Sequence, residues 1–234
     1  DSTNSFVRKF YEGNTDFEPV CVRAINQTAG RGQRGSNWLS KAGENLTFSI
    51  LYPQEKLNIS RHFLLSATIS LAVLQVLKEM EIPDIKVKWP NDILSAKNKI
   101  GGILIENIVK TEGIVASVIG IGLNVNQADF NGLPNAGSLK SVTNQSFDLD
   151  KLLERFIITI ENELKELPQR QSMDILEEYA QNMFRLNVVS SFSSKKGEKF
   201  NGIIRGVTTE GKLNLEIEDG VFKTYDLKEI QLLY

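Results

Sequence analysis

Residues 30–38, GRGQRGSNW, hold three glycines and two arginines, with no apolar side chain before Trp38. Gly30, Gly32 and Gly35 leave backbone N–H groups bare and dihedrals free, and Arg31 and Arg34 add fixed positive charge. That combination can grip an anion, a phosphate above all, although a solvated glycine-rich turn has the same composition. Other polar clusters stand at the ends of apolar strands. Gln27 precedes the glycine loop, KWPND at 88–92 presents Asn91 and Asp92, and Lys99 stands beside Gly101 and Gly102. Next to glycines, a lysine can approach a phosphate with no side chain in the way. Singly, WPND reads as a turn and Lys99 as a solvated edge charge. Together, with Asn124 after another glycine-containing strand, they are harder to dismiss as unrelated turns and edge charges.

Other chemistries find few residues. Cys21 is the only cysteine, which excludes disulfides within the chain and cysteine-rich zinc sites, and its apolar run PVCVRAI marks it as a strand residue. His62 is the only histidine and falls on a helical stretch without a nucleophile motif, so a histidine metal cluster and a Ser-His-Asp triad are set aside. No G-x-x-x-x-G-K-[ST] occurs, and GIGLNV at 120–125 lacks the third glycine and the helix start of a dinucleotide fingerprint. With 27 basic and 29 acidic residues the chain is nearly neutral, which argues against a general nucleic-acid binder. No apolar run reaches bilayer length and no signal peptide is visible, so a cytoplasmic, reduced setting without membrane attachment is expected.

These groups need elements to position them. STNSFVRKFYE predicts a helix capped by Ser2, Thr3 or Asn4. PVCVRAINQ and LTFSILYP predict strands, the second stopped by Pro53. From Ser60 to about Met80, apolar residues recur at helical spacing on more than one face, which implies burial against a sheet. IKVKW, KIGGILIEN and GIVASVIGIGLNVN read as strands, and two amphipathic helices follow near 150–167 and 171–183. From Asn187 five short strands (NVVSSF, KFNGIIRGV, KLNLEIE, VFKTYDL and EIQLL) predict a small barrel, with a hairpin turn at Asp219-Gly220.

The motifs DSTN, QTAGRGQRGSNW, GENLTFSI, VKWPNDI, NKIGGILIE and IGIGLNVN stand in the order and spacing of biotin–protein ligases, which the chain resembles from Asp1 to about Asn126 and more loosely beyond. The resemblance implies an α+β fold: a class II aminoacyl-tRNA synthetase-like mixed sheet with flanking helices over residues 1–185, then an SH3-like barrel over 186–234. It implies attack of the biotin carboxylate on the α-phosphate of ATP, with Mg²⁺, giving biotinyl-5′-AMP. Transfer to a lysine of a biotin carboxyl carrier protein, such as that of acetyl-CoA carboxylase, follows. Carried over by residue, Ser2, Thr3, Asn4, Gln27, Gly30, Arg31, Lys99, Gly101 and Gly102 are implied to bind biotin. Gly32, Arg34, Trp38, Asn91 and Asn124 are implied to bind the nucleotide, with Trp38 stacked on adenine. Asp92 is implied at the metal, and Lys99 and Arg31 are the implied catalytic cations. The glycine loop is then the cover over the adenylate, mobile when empty, with Gln33 where many relatives have Arg.

Some relatives carry an N-terminal winged-helix DNA-binding domain. With the first motif at residue 1, a form without it and without nucleic-acid partners is expected, monomeric or weakly dimeric, with the Ile-rich KWPNDI and NKIGGIL available for a sheet-edge contact. The rivals are a lipoate or octanoate attachment enzyme, whose Arg-Arg-x-x-Gly-Gly-Gly motif is missing, a biotinyl-AMP-binding regulator, and an inactive homologue.

Overall fold

The computed structural model describes residues 1–13, 16–57, 61–111, 113–130 and 132–234. Six strands form the main sheet: β1 (Val20–Ala24), β2 (Leu46–Leu57), β3 (Ile85–Lys88), β4 (Asp92–Ser95), β5 (Asn98–Lys110) and β6 (Gly113–Leu123). Their order is β1-β2-β6-β5-β4-β3. The α+β class holds. In place of the mixed sheet expected, every pairing between these strands is antiparallel. Parallel contact is confined to isolated bridges such as Val87 with Met183 and Lys99 with Ala136. The cause is local, because β3, β4, β5 and β6 are joined by connections too short for a parallel crossover.

One face of the sheet is covered by α2 (His62–Glu79), α4 (Leu149–Glu166) and α5 (Ser172–Gln181). Thirteen residues of α2 are buried, as expected of a helix apolar on several faces. By length and composition α2 passes as a membrane span, but it is the core helix of this fold. Its expected start at Ser60 lies outside the described residues. In α4, Leu152, Phe156, Ile160 and Leu164 recur every fourth position and bury one stripe, and Asp148 caps the helix by accepting from the N–H groups of Asp150 and Lys151. The opposite face carries α1 (Thr3–Gly13), which packs Val7 and Tyr11 against Leu51 and Val118.

Three local expectations change. Strand β2 does not stop at Pro53 but runs to Leu57 with an irregular register after Pro53. Pairing with β1 has already ended at Leu51, so the missing N–H of Pro53 meets a one-sided edge. The segment after WPN is a strand of its own, β4, whose hairpin to β3 turns through the cis Trp89–Pro90 bond. A short helix, α3 (Leu139–Thr143), held by a reciprocal Ser138–Ser141 capping box, had no apolar period to announce it.

All five C-terminal strands are present: β7 (Val189–Ser194), β8 (Lys199–Val207), β9 (Leu213–Glu216), β10 (Phe222–Tyr225) and β11 (Ile230–Leu233), in the order β10-β9-β8-β7-β11. Gly220, at positive φ, turns β9 into β10. Phe192, Ile204, Leu213 and Leu215 join the same apolar core as α2 and α5.

Candidate functional site

Antiparallel register decides what the sheet offers its second face. Lys88 pairs with Asp92, Asp92 with Gly102, Gly102 with Gly122, and Gly122 with Thr47. Cross-strand partners point to the same side, so this row runs cation, carboxylate, two bare glycines, hydroxyl. One step along, Leu104 pairs with Gly120 and Gly120 with Ser49. The three glycines make a floor without side chains, and a cavity of about 580 Å³ opens above it.

The glycine loop and the start of α1 both land on that floor. A Cβ on Gly122 would stand 2.5–2.8 Å from the indole of Trp38, and one on Gly120 would collide with the Asn4 side chain. Gly120 and Gly122, part of a segment dismissed as a nucleotide fingerprint, are therefore the seats of other residues. Trp38 Nε1 is buried there against the Gly122 backbone, without a hydrogen-bond partner. The loop is a folded hairpin: Arg31 bridges Asn37, Gly32 N–H donates to Ser36 O at 2.7 Å, and Trp38 N–H donates to Gly30 O at 2.9 Å. A short 3-10 turn, Gln33–Gly35, closes its tip. A side chain on Gly30 would strike Trp38 O, and one on Gly32 would strike Ser36. The Arg34 side chain lies outside the described residues.

Lys99 reaches the same row from β5. Its Nζ is 2.5 Å from Asp92 Oδ1 and 5.7 Å from the centroid of the Trp38 ring. The side chain passes beside Gly102, where a Cβ would make ordinary contact with Lys99 Cε at 3.6 Å. Gly101 points the other way, into the packing of Leu123 and Ile93, and serves the core. Lys88 Nζ is 4.0 Å from Asp92 and lies over the Tyr234 ring. Asn91 lines the cavity with its amide donating to Ile103 O at 2.5 Å.

The turn carrying Asn91 and Asp92 is held from both flanks. The Tyr179 hydroxyl donates to Pro90 O at 2.8 Å, and Trp89 Nε1 donates to Gly211 O at 2.9 Å, in the β8–β9 turn. Full burial, and next the Asp92 charge, push the Tyr179 hydroxyl far up, so it stays a neutral donor.

Ser2, Thr3, Asn4 and Gln27 gather at the other end. Ser2 is the helix cap, since its hydroxyl accepts from Ser5 N–H at 3.1 Å. Thr3 N–H donates to Gln27 Oε1 at 2.9 Å. Ser49 Oγ lies 2.6 Å from Asn4 Oδ1 and 2.7 Å from Thr3 Oγ1, and the Asn4 amide N–H donates to Glu106 Oε2 at 2.8 Å. Glu106 Oε2 also accepts from Arg31 Nη2 at 2.9 Å. Ser49 and Glu106 had no local signal in the sequence.

Three expected site residues, Gly30, Gly101 and Asn124, are not among the cavity-lining residues. Asn124 is buried and donates its amide to Gly137 O at 2.9 Å. Among the described residues no three His, Cys, Asp or Glu side chains converge as a metal cluster, and Asp92 sits between two lysines. The NKIGGIL strand lies between β4 and β6, so β3 alone supplies that sheet edge.

A family profile described as the biotin/lipoate A/B protein ligase family matches residues 1–125. The chain is 31% identical over 243 residues to the bifunctional ligase/repressor BirA of Escherichia coli, covering 99% of this chain and 71% of that one. It is 27% identical to the biotin–[acetyl-CoA-carboxylase] ligase of Mycobacterium tuberculosis, covering 92% and 80%. Among solved structures, it is similar to the biotin protein ligase from Aquifex aeolicus in complex with biotin and ATP. The TM-score is 0.79 at 26% identity, over 100% of this chain and 95% of that one.

Proposed function

The chain belongs to the biotin/lipoate A/B protein ligase family, and we propose that it is a biotin–protein ligase acting through an adenylate. The biotin carboxylate attacks the α-phosphate of ATP and pyrophosphate leaves. The amine of a carrier lysine, having lost its proton, then attacks the acyl carbon and AMP leaves. The carrier is a biotin carboxyl carrier domain of a carboxylase.

The observation that carries this reading is the single cavity over a glycine floor, with a cluster of neutral hydrogen-bonding groups at one end and two cation–carboxylate pairs beside it. A neutral heterocycle needs fixed donors and acceptors, which Ser2, Thr3, Asn4 and Gln27 supply. A carboxylate meeting a polyphosphate needs fixed positive charge, which Lys99 and Arg31 supply where negative charge accumulates. Trp38 offers a ring face to the nucleotide, and Gly32, Arg34 and Asn91 are assigned to the same nucleotide side. The bare backbone at Gly122 lets the Trp38 indole lie flat on the sheet. Mg²⁺, bound through substrate oxygens and the one carboxylate of Asp92, would neutralise phosphate charge; one or two carboxylates suffice for that ion. Residues 1–185 would form the catalytic domain and 186–234 an appended SH3-like unit that braces the Asn91–Asp92 turn. The unpaired Cys21 suits a reduced, cytoplasmic compartment.

The test is incubation with biotin, ATP and Mg²⁺ and mass spectrometry for biotinyl-AMP, with octanoate and lipoate in parallel, followed by addition of an apo carrier domain. Biotinyl-AMP and a biotinylated carrier are expected. Octanoyl- or lipoyl-AMP alone would move the protein to the other branch of its family, and no adenylate at all would refute the enzyme reading.

A further inference from the structure

Glu106 stands outside the cavity lining, yet it touches two residues of the proposed biotin end. It projects from β5 toward the side where α1 packs. Its Oε2 accepts from Asn4 Nδ2 at 2.8 Å and from Arg31 Nη2 at 2.9 Å. Those donors come from different places, the first turn of α1 and the glycine loop, so one carboxylate oxygen ties both to the sheet.

The two bonds have separate consequences. With its N–H side turned to Glu106, Asn4 must present Oδ1 to Ser49, 2.6 Å away. A hydroxyl has one proton, and only donation satisfies an amide oxygen, so the Ser49 proton is committed to Asn4. The Thr3 hydroxyl lies 2.7 Å from Ser49 Oγ and 3.2 Å from Gln27 Oε1, an acceptor to which it donates. For Arg31, the carboxylate engages one nitrogen of the five-donor fork and leaves the rest of the guanidinium uncommitted. The pair is partly exposed, with Arg31 at 45% and Glu106 at 24%, so its worth to overall stability is small. Its effect is orientation.

We infer that Glu106 is a positioning residue, which holds the loop arginine over the pocket and fixes the polarity of the Asn4–Ser49–Thr3 network before substrate arrives. This inference rests on the proposed biotin-binding function, and its test separates the two.

Glu106→Gln keeps an acceptor oxygen for Asn4 and removes the charge that holds Arg31. Biotin binding by calorimetry should weaken roughly tenfold, the scale of a hydrogen bond to a charged group. The Arg31→Gln/Glu106→Gln double variant should bind no more than about twofold weaker than Arg31→Gln alone, as residues acting as a unit are non-additive. A merely structural glutamate would instead give additive losses and a lower melting temperature. The Arg31 contact is read without biotin by trypsin: ligand-free Glu106→Gln protein should be cut after Arg31 at least about fivefold faster than wild type, since opening governs cleavage. Equal cleavage, or additive binding losses, overturns the positioning role. Wild-type protein that binds no biotin, while the cleavage difference persists, overturns only the function on which the binding arm depends.

Discussion

Replacing Lys99 by Ala is the sharpest probe of the site. The Nζ stands 2.5 Å from Asp92 Oδ1, and the nearest remaining cation to that carboxylate is Lys88 at 4.0 Å. Removing Lys99 therefore takes a positive charge from the place where two anions must meet and also leaves Asp92 facing them half-compensated. A unit charge at about 4 Å is worth roughly 4 kcal/mol at an effective dielectric of about 20. Side-chain exposure of 37% discounts that figure. About 3 kcal/mol remains, close to the cost of losing one preorganised donor, so adenylation should slow by at least two powers of ten. Folding should hardly notice, because a partly exposed ion pair contributes about 1 kcal/mol or less.

Pyrophosphate exchange measures the adenylation step directly, and transfer from ready-made biotinyl-AMP bypasses it. Lys99→Ala should fail the first and retain part of the second. Lys99→Arg should rescue poorly: Gly102 and the Trp38 ring leave a flat slot for a compact ammonium, and a planar fork is a different shape. A folded Lys99→Ala protein exchanging pyrophosphate at nearly the wild-type rate would refute the assignment.

Trp38→Ala should weaken ATP binding by roughly 1–3 kcal/mol, on the scale of base–aromatic stacking, with biotin affinity in the absence of nucleotide little changed by calorimetry. Gly122→Ala should reproduce that loss by pushing the indole off its seat; unchanged ATP affinity would dissociate Trp38 from the nucleotide. Trp89→Phe removes the donor to Gly211 O and should lower the melting temperature by about 2–4 °C for roughly 1 kcal/mol lost. The same variant should slow pyrophosphate exchange without altering biotin affinity. Burial pushes the Cys21 thiol up to about 11, so in the folded protein a thiol reagent should react slowly at pH 8 and faster toward pH 11. The unfolded thiol ionises near its ordinary value, about 8.5, where the folded one does not, so this residue's contribution to stability falls as pH rises above that. Fast labelling at pH 8 without denaturant would contradict its burial.

The sequence showed long elements and glycine-rich chemistry and hid what depends on register. Helices α2 and α4 were legible because apolar residues recur at helical spacing along 18 residues of each, and all five C-terminal strands because turn residues bound them. Strand β4 was missed: its four residues follow a run of turn formers, and only pairing with β3 and β5 makes them a strand. The polar motifs were visible as types, but which side each faced was not. Gly101 and Gly102 are adjacent in sequence and opposite in space, one packed in the core and one under Lys99. Asn124 carried a strand-end signal that was correct, but a neighbouring backbone carbonyl at Gly137 takes its amide. Glycines at 120 and 122 fail as a phosphate loop because they lie within β6; alternation on a strand puts them on one face, where absence of side chain is the whole contribution. Glu106 is farthest from legibility. Its partners are 75 and 102 residues away, and nothing local distinguishes a strand glutamate that orients a site from one that faces solvent.

The pairing of each proposed cation with a carboxylate has a physical logic of its own. Arg31 with Glu106 is a nearly neutral unit, whereas Lys88 and Lys99 share the one carboxylate of Asp92 and leave one positive charge there. Each pair also fixes its cation, which lowers the reorganisation needed when an anion arrives. The two partners are held differently. Asp92 rides on a turn clamped by Tyr179 and Trp89, one from α5 and one reaching the C-terminal sheet, whereas Glu106 reaches a loop closed by its own backbone bonds. Lys99 is thereby referenced to the clamped turn and Arg31 to the glycine-loop hairpin. A carboxylate and a triphosphate would thus meet two held cations, one anchored through the clamped turn and one through the glycine loop.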